Sequence, residues 1–380
     1  MITVVFATGI MNAGGAETLI MEMLRNQSNK IRYVLLIHYN STVQRGDYDD
    51  EIKKMNIPMI YIPAVGAIGI TGYIKLFKEK IRSIGIVDIL HSHLNGVGGV
   101  IAKAAKGAGI KHRIIHCHAD ITFTGNKFSI FLNETKLCFL KYYVNKYGTE
   151  FWACSEAAGK RLFHNSKSIK VIPNVIDVAR YLPNNKKRRK ARLRFGFSDQ
   201  LILGSVGRIA RIKNYDLIIH VLADLKKQGV SVEFVCFGRI VHEEYYASLL
   251  SLAKEMEVDD QIFFMGNSDN VPEDIAAFDI FLMPSKSEGF GMAAIEAQAA
   301  GIPTLVSTGV PDAIDVGLGL VKFLPFDKDQ WVDAIKNAGT VERPSVEKII
   351  QAFDRHGLNS STMVKEIEDE YLKMMSSKRI

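Results

Sequence analysis

The 380-residue chain has no uninterrupted apolar run near the roughly 18 residues that a membrane-spanning helix requires. This predicts a chain that does not cross the bilayer. It also lacks a CxxC pair, and its four cysteines (Cys117, Cys138, Cys154, Cys236) stand far apart. That spacing excludes a dense disulfide scaffold and fits the reduced thiols of a cytosolic protein. No basic residue precedes the first apolar stretch, MITVVFATGI, so it reads as a first strand and not as a secretory leader. Low-complexity tracts are missing, and so is any recognisable DNA- or RNA-binding motif.

What is present is the composition of a globular enzyme, 47% hydrophobic and 23% charged, in a length that suits two cores better than one. The charge is unevenly spread. Residues 1–195 carry 30 Lys and Arg against 13 Asp and Glu, a net of +17, and residues 196–380 carry 18 against 28, a net of −10. The first half is therefore expected to face something anionic. Without a nucleic-acid motif, nucleic acid is not expected; an anionic membrane surface or a phosphorylated lipid fits the charge, and scattered solvated lysines with no partner are the alternative.

Short β-branched runs alternate with helical stretches, the signature of parallel sheets covered by helices. The first series predicts strands at Thr3–Ala7, Tyr33–His38, Met59–Ile62, Ile86–His91, Arg113–His116 and Phe151–Ala153. The second predicts them at Ile202–Val206, Ser231–Phe237, Gln261–Met265, Ile280–Met283, Thr304–Ser307 and Val321–Leu324. Two series of similar size predict two doubly wound domains, residues 1–170 and 171–361. A C-terminal helix, residues 362–380, is expected to pack back on the first. The basic run Lys186–Lys190 reads as a solvated helix start at the domain edge.

Three segments carry the polar chemistry. Gly14 and Gly15 open a helix just after the first strand, where free amides and the helix dipole attract an anion, although a plain tight turn explains them as well. Arg208 and Lys213 follow the first strand of the second series, at the strand end where open α/β sheets hold ligands, and together they could neutralise a diphosphate. The third segment, Pro284-Ser-Lys-Ser-Glu-Gly-Phe-Gly-Met-Ala-Ala-Ile-Glu296, places Glu288 in a glycine loop and Glu296 within the following helix. Gly289 and Gly291 leave amides open at that helix start. A carboxylate beside an anion site is tolerated best when it contacts hydroxyls, so the two glutamates suit a sugar better than a metal.

Glu288 and Glu296, with Gly-Phe-Gly between them and Ala297-Gln-Ala-Ala-Gly-Ile-Pro303 after them, resemble the E-x7-E element of retaining GT-B glycosyltransferases of family 4. Further blocks fit in order: Gly14-Gly-Ala-Glu17, Asp88-Ile-Leu-His-Ser-His93, Ala153-Cys-Ser155, Ile172-Pro-Asn-Val-Ile-Asp177, Val206-Gly-Arg208 with Lys213, and Phe264-Met-Gly266. The resemblance implies two Rossmann-like domains facing across a cleft, with the donor on the second and the acceptor on the first. It implies that Arg208, Lys213 and the amides at Gly14 and Gly15 bind the donor diphosphate, and that Glu296 takes the ribose hydroxyls. Glu288 with the amides of Phe290, Gly291 and Met292 would hold the transferred sugar and its phosphate, and backbone near Arg239 and Met265 would read the base.

The activity implied is retaining transfer from a nucleotide diphosphate sugar, UDP by family frequency, to a saccharide or lipid-linked saccharide in surface polysaccharide assembly. No cofactor or metal is expected, since cations replace Mg²⁺. The expected location is cytoplasmic, at the inner face of the membrane where it is peripheral. A GT-B-type sugar-nucleotide epimerase and a non-catalytic nucleotide-sugar-binding protein are the alternatives.

His91, His93, His112, His116 and His118 crowd one stretch, but no pair stands on a predicted helix at ligand spacing, so no metal site is expected. In the family a histidine just past a strand here lies beside the transferred sugar. His118 fits that role, with His116 second and His93 as a further acceptor-side candidate; His116 reads equally well as a hydrogen-bonded core residue. Residues 120–147, rich in Phe, Tyr and Lys from Phe123 to Lys146, suit either a packed helix or a membrane interface.

Overall fold

The computed structural model describes residues 1–376 except 13, 119–125, 165–166, 198–199, 269 and 340. The chain forms two units, Met1–Ile176 with Ser360–Ile380, and Asp177–Asn359.

In the first unit seven parallel strands are ordered β3-β2-β1-β4-β5-β6-β7: β1 Ile2–Thr8, β2 Ile31–Tyr39, β3 Met59–Pro63, β4 Ile89–Ser92, β5 His112–Cys117, β6 Glu150–Ala153 and β7 Ile169–Val171. The helices are α1 Gly15–Arg25, α2 Asp49–Lys54, α3 Val65–Ile84, α4 Gly98–Gly107, α5 Lys127–Tyr147 and α6 Glu156–Leu162. Parallel strands are buried on both faces and so read as continuous apolar runs. In β1, Val4 and Phe6 face Leu19, Ile20 and Met23 of α1, while Val5 and Ala7 face Tyr73, Phe77 and Ile101 of α3 and α4. Ile367 and Tyr371 of the C-terminal helix, Ser360–Ser376, complete the α1 side.

The strand predicted at Ile86–His91 starts later. Ile86 is exposed, and Asp88 accepts a bond from the Thr3 amide at 2.8 Å, so an apolar-looking start is a connection pinned by a carboxylate. Phe123 lies outside the described residues.

The second unit begins with α7 Val178–Tyr181 and α8 Asn185–Arg194. Its six parallel strands are ordered β10-β9-β8-β11-β12-β13: β8 Leu201–Val206, β9 Val232–Phe237, β10 Ile262–Phe264, β11 Ile280–Met283, β12 Thr304–Ser307 and β13 Val321–Leu324. Helices α9 Tyr215–Lys227, α10 Glu243–Glu255, α11 Val271–Ile275, α12 Met292–Ala299, α13 Lys328–Ala338 and α14 Val346–Arg355 cover them. Trp331, Tyr215, Leu222 and Phe234 anchor one core layer.

The basic run is a helix start at the edge of the second unit, as expected, with Lys186, Arg189 and Lys190 exposed. It lies in α8, where Arg188 reaches Asp279 at 2.5 Å, Arg192 reaches the same carboxylate at 3.1 Å, and Arg194 pairs with Asp274. Asp279 also accepts the Ile202 amide at 2.8 Å. Arg188, Arg192 and Arg194 thus tie α8 to acids of the second unit. Counted by unit, the first carries 26 Lys and Arg against 16 Asp and Glu (+10) and the second 22 against 25 (−3).

Candidate active site

In the second unit the chain leaves β8 toward β9 on one side, while β11 pairs on the other. The β8 and β11 ends therefore border a topological switch point, where loops diverge and leave room for a ligand. Lys213, in the turn after β8, reaches Glu288, in the loop after β11, with Nζ 2.7 Å from Oε1. Backbone bonds fix both loops: the Lys286 amide donates to Ile212 O at 2.8 Å, and the Glu288 amide to Gly309 O at 3.1 Å. Lys213 lies over Gly207, where a Cβ would sit 3.3 Å from its Nζ.

Arg208, next in the chain, is exposed and has no hydrogen-bond or ion-pair partner among the described residues. Two cations thus follow the β8 end, one bound to a carboxylate that follows β11 and one uncommitted.

The start of α12 faces the same loop. Gly291 is its N-cap with φ 90°, and a Cβ there would meet methyls of Val310 and Ile314 at 3.1 Å. Only glycine enters this turn without strain. Among the described residues nothing accepts from the amides of Phe290, Gly291 or Met292, which remain open to an anion. Glu296 stands one turn into α12. Burial pushes its carboxyl up to about 7, against the opposing pull of a Tyr181 hydrogen bond and the Arg180 charge. Arg239 is exposed after β9, and Met265, after β10, donates its amide to Cys236 O at 2.9 Å. The structure therefore gathers Arg208, Lys213, Glu288, Phe290, Gly291, Met292 and Glu296 around two adjacent strand ends, with Arg239 and Met265 on the ends of the next two strands.

Gly14 and Gly15 belong to the first unit, where Gly14 caps α1 without a side-chain partner. Glu17 folds back so closely that a Cβ on Gly14 would lie 2.5 Å from its Oε2. Burial raises the Glu17 pKa, and a bond to its own amide lowers it. The helix start already faces a carboxylate that an incoming anion must displace.

The histidines at the ends of β4 and β5 form one cluster. β4 and β5 pair with His91 opposite Ile114, which sets His93 beside His116 and sends all four rings to one face. His91 Nδ1 lies 2.6 Å from the Tyr371 hydroxyl and its Nε2 3.2 Å from His116 Nδ1; His93 Nδ1 lies 2.8 Å from His118 Nε2. His118, just past β5, takes Asn95 Oδ1 on its amide at 2.8 Å. Burial drives all four below the ordinary imidazole range, His118 to about 3, and in the other three neighbouring imidazoles add to the effect.

One ligand atom each from His91, His93 and His116 falls within 4.8 Å of the others, and three neutral imidazoles are a set that a transition metal accepts. As built, however, both nitrogens of His91 are engaged. His93 Nε2, His116 Nε2 and His118 Nδ1 lack partners among the described residues. The ladder is assembled between β4 and β5, so ligand spacing along one element does not reveal it.

A sequence profile for glycosyl transferases group 1 matches residues 187–352, within the second unit. A protein named as a glycosyltransferase, EpsF of Bacillus subtilis (strain 168), is 28% identical over 95% of this chain and 94% of its own. The capsular polysaccharide biosynthesis glycosyltransferase CapH of Staphylococcus aureus is 27% identical over 78% and 79%. Among solved structures, Anabaena HepE in complex with UDP superposes with a TM-score of 0.79 at 17% identity, over 98% of this chain and all of that one. A glycosyltransferase from Rickettsia africae gives 0.78 at 18%, over 99% of both chains.

Proposed function

The chain belongs to the glycosyltransferases of the GT-B fold, and on that premise we propose that it transfers a sugar from a UDP-sugar, with retention at the anomeric carbon. The acceptor on this reading is a saccharide or lipid-linked saccharide in surface polysaccharide assembly, at the cytoplasmic face of the membrane. The meeting of Lys213 and Glu288 at the β8 and β11 ends, with Arg208 uncommitted at the same strand end, carries the reading.

Breaking the bond between the anomeric carbon and the donor phosphate piles negative charge on the departing diphosphate. Arg208 and Lys213 stabilise that charge, assisted by the open amides at the start of α12, and their positive charge removes the need for a metal. Without ligand, Glu288 holds Lys213 in place; when the diphosphate arrives, Lys213 turns to it and Glu288 is released to accept sugar hydroxyls. Ionised Glu296 is acceptor-only and suits the two ribose hydroxyls. The proton of the attacking acceptor hydroxyl passes to a donor phosphate oxygen.

UDP is the nucleotide to test first, since HepE was crystallised with UDP and with UDP-glucose, and CapH is named for capsular polysaccharide biosynthesis. Calorimetry across a panel of nucleotide sugars, followed by a turnover assay, tests the reading. Lys213→Ala and Glu296→Ala should each weaken UDP binding roughly 10- to 100-fold, the worth of one charge-assisted hydrogen bond. Unchanged affinity in both removes the donor site from this place.

A further inference from the structure

Helix α5 is apolar on two opposite sides. Leu137 and Val144 are buried in the core beneath it. On the far side Phe128, Phe131, Leu132, Phe139 and Tyr142 stand in the open, from 49% exposed for Phe139 to 71% for Phe128. On a 3.6-residue helix these five fall within an arc of roughly 100°, facing away from Leu137 and Val144. The two faces cancel, so the helix has almost no net amphipathic direction even though one side is made for an apolar partner.

Charge says what that partner is. Lys127 and Lys136 flank the stripe on its two sides, and Lys146 ends it with Nζ 2.5 Å from the Tyr142 hydroxyl. The single acid of the helix, Glu134, is paired with Arg161. Alongside runs a groove of about 790 Å³ lined by Lys141, Lys146, Lys160 and His164, in which Lys160 shares Glu156 at 2.9 Å. The unit as a whole carries +10. A second copy docked on the same face would set these lysines against each other, whereas an anionic bilayer supplies both the apolar layer and the phosphates.

We infer that α5 lies in the interfacial layer of an anionic lipid bilayer, its aromatic stripe at the headgroup and acyl boundary and the lysine groove on lipid phosphates. This docking rests on the lipid-linked-acceptor reading for its purpose, but its test uses no turnover, so either can fail alone.

The full chain is sedimented with vesicles of phosphatidylcholine, with and without phosphatidylglycerol, at low and high salt. It should pellet with the phosphatidylglycerol vesicles at low salt and stay in solution with phosphatidylcholine alone. Phe131→Ser with Phe139→Ser should weaken partitioning at least roughly tenfold, and Lys141→Ala with Lys146→Ala roughly 30-fold, with loss of salt sensitivity. Both variants should keep wild-type UDP affinity, which shows that they fold. Phe128→Trp should report entry by a blue shift on vesicles, over a background of two buried tryptophans, Trp152 and Trp331. A wild-type chain that stays in the supernatant overturns the inference. So does co-sedimentation without a Phe128→Trp shift, or light scattering that shows the phenylalanine pair holding a dimer.

Discussion

On the proposed reading Glu296 links nucleotide binding to pH, in a way that one substitution isolates. Its carboxyl is raised from the ordinary 4.5 to about 7 by burial. The folded state therefore holds this proton more tightly than the unfolded chain does. The cost of ionising it is absent below about pH 4.5, grows as pH rises and is complete above about pH 7. Taken at face value the shift is about 3 kcal/mol, and the solvent that reaches part of the residue lowers it to about 2 kcal/mol. Glutamine has the shape of the neutral acid and no charge to bury. Glu296→Gln should match wild type near pH 5 and exceed it above about pH 8 by about 2 kcal/mol, or roughly 5 °C in the transition of the second unit.

Binding should respond in the opposite sense. The ribose hydroxyls need the ionised acceptor, so wild-type affinity for UDP should fall as pH drops below about 7. The variant should bind more weakly above about pH 7 and converge on wild type at low pH, with a flat profile. Thermal unfolding by circular dichroism and calorimetric titration over the same buffers measure both. A stability gap between the two proteins that does not change with pH refutes the argument, because it leaves no buried ionisation at this position.

Gly291→Ala forces a side chain into φ 90° and against two methyl groups at 3.1 Å. We expect a loss of about 1–3 kcal/mol in thermal unfolding and weaker UDP binding as the α12 start is displaced. Asp279→Ala strands Arg188 and Arg192 and frees the Ile202 amide, and should cost about 3 kcal/mol by denaturant titration. In the first unit His38, bonded to Tyr73 at 2.7 Å, is lowered from 6.5 to about 4, and His118 to about 3. The stability tied to these neutral rings is whole above about pH 6.5 and drains away as pH falls toward 4. Limited proteolysis at about pH 4.5 should therefore cut residues of the first unit before those of the second.

Alternation of apolar runs and helices made the α/β architecture legible, because a strand buried on both faces needs no partner to betray it. The loop between β11 and α12 was legible too, since Glu288, Gly291 and Glu296 are close in sequence and the turn itself demands a glycine. What escaped is what only adjacency creates. The imidazole ladder depends on β4 lying beside β5 in one register, and no spacing along one strand encodes that. The pairing of Arg188 with Asp279, nearly a hundred residues later, is likewise set only by the fold. In α5 the two apolar faces mask each other in a periodicity test, and only burial separates the inner from the outer.

The Ser360 amide donates to Ile176 O at 2.8 Å. The point where the chain leaves the first unit and the point where it re-enters are thus one hydrogen bond apart. On the ribosome, residues 177–359 emerge as an uninterrupted piece and can fold before the last helix exists. The N-terminal sheet, synthesised first, stays unfinished until Ile367 and Tyr371 arrive. The older half of this protein closes only once Ser360–Ser376 has been made.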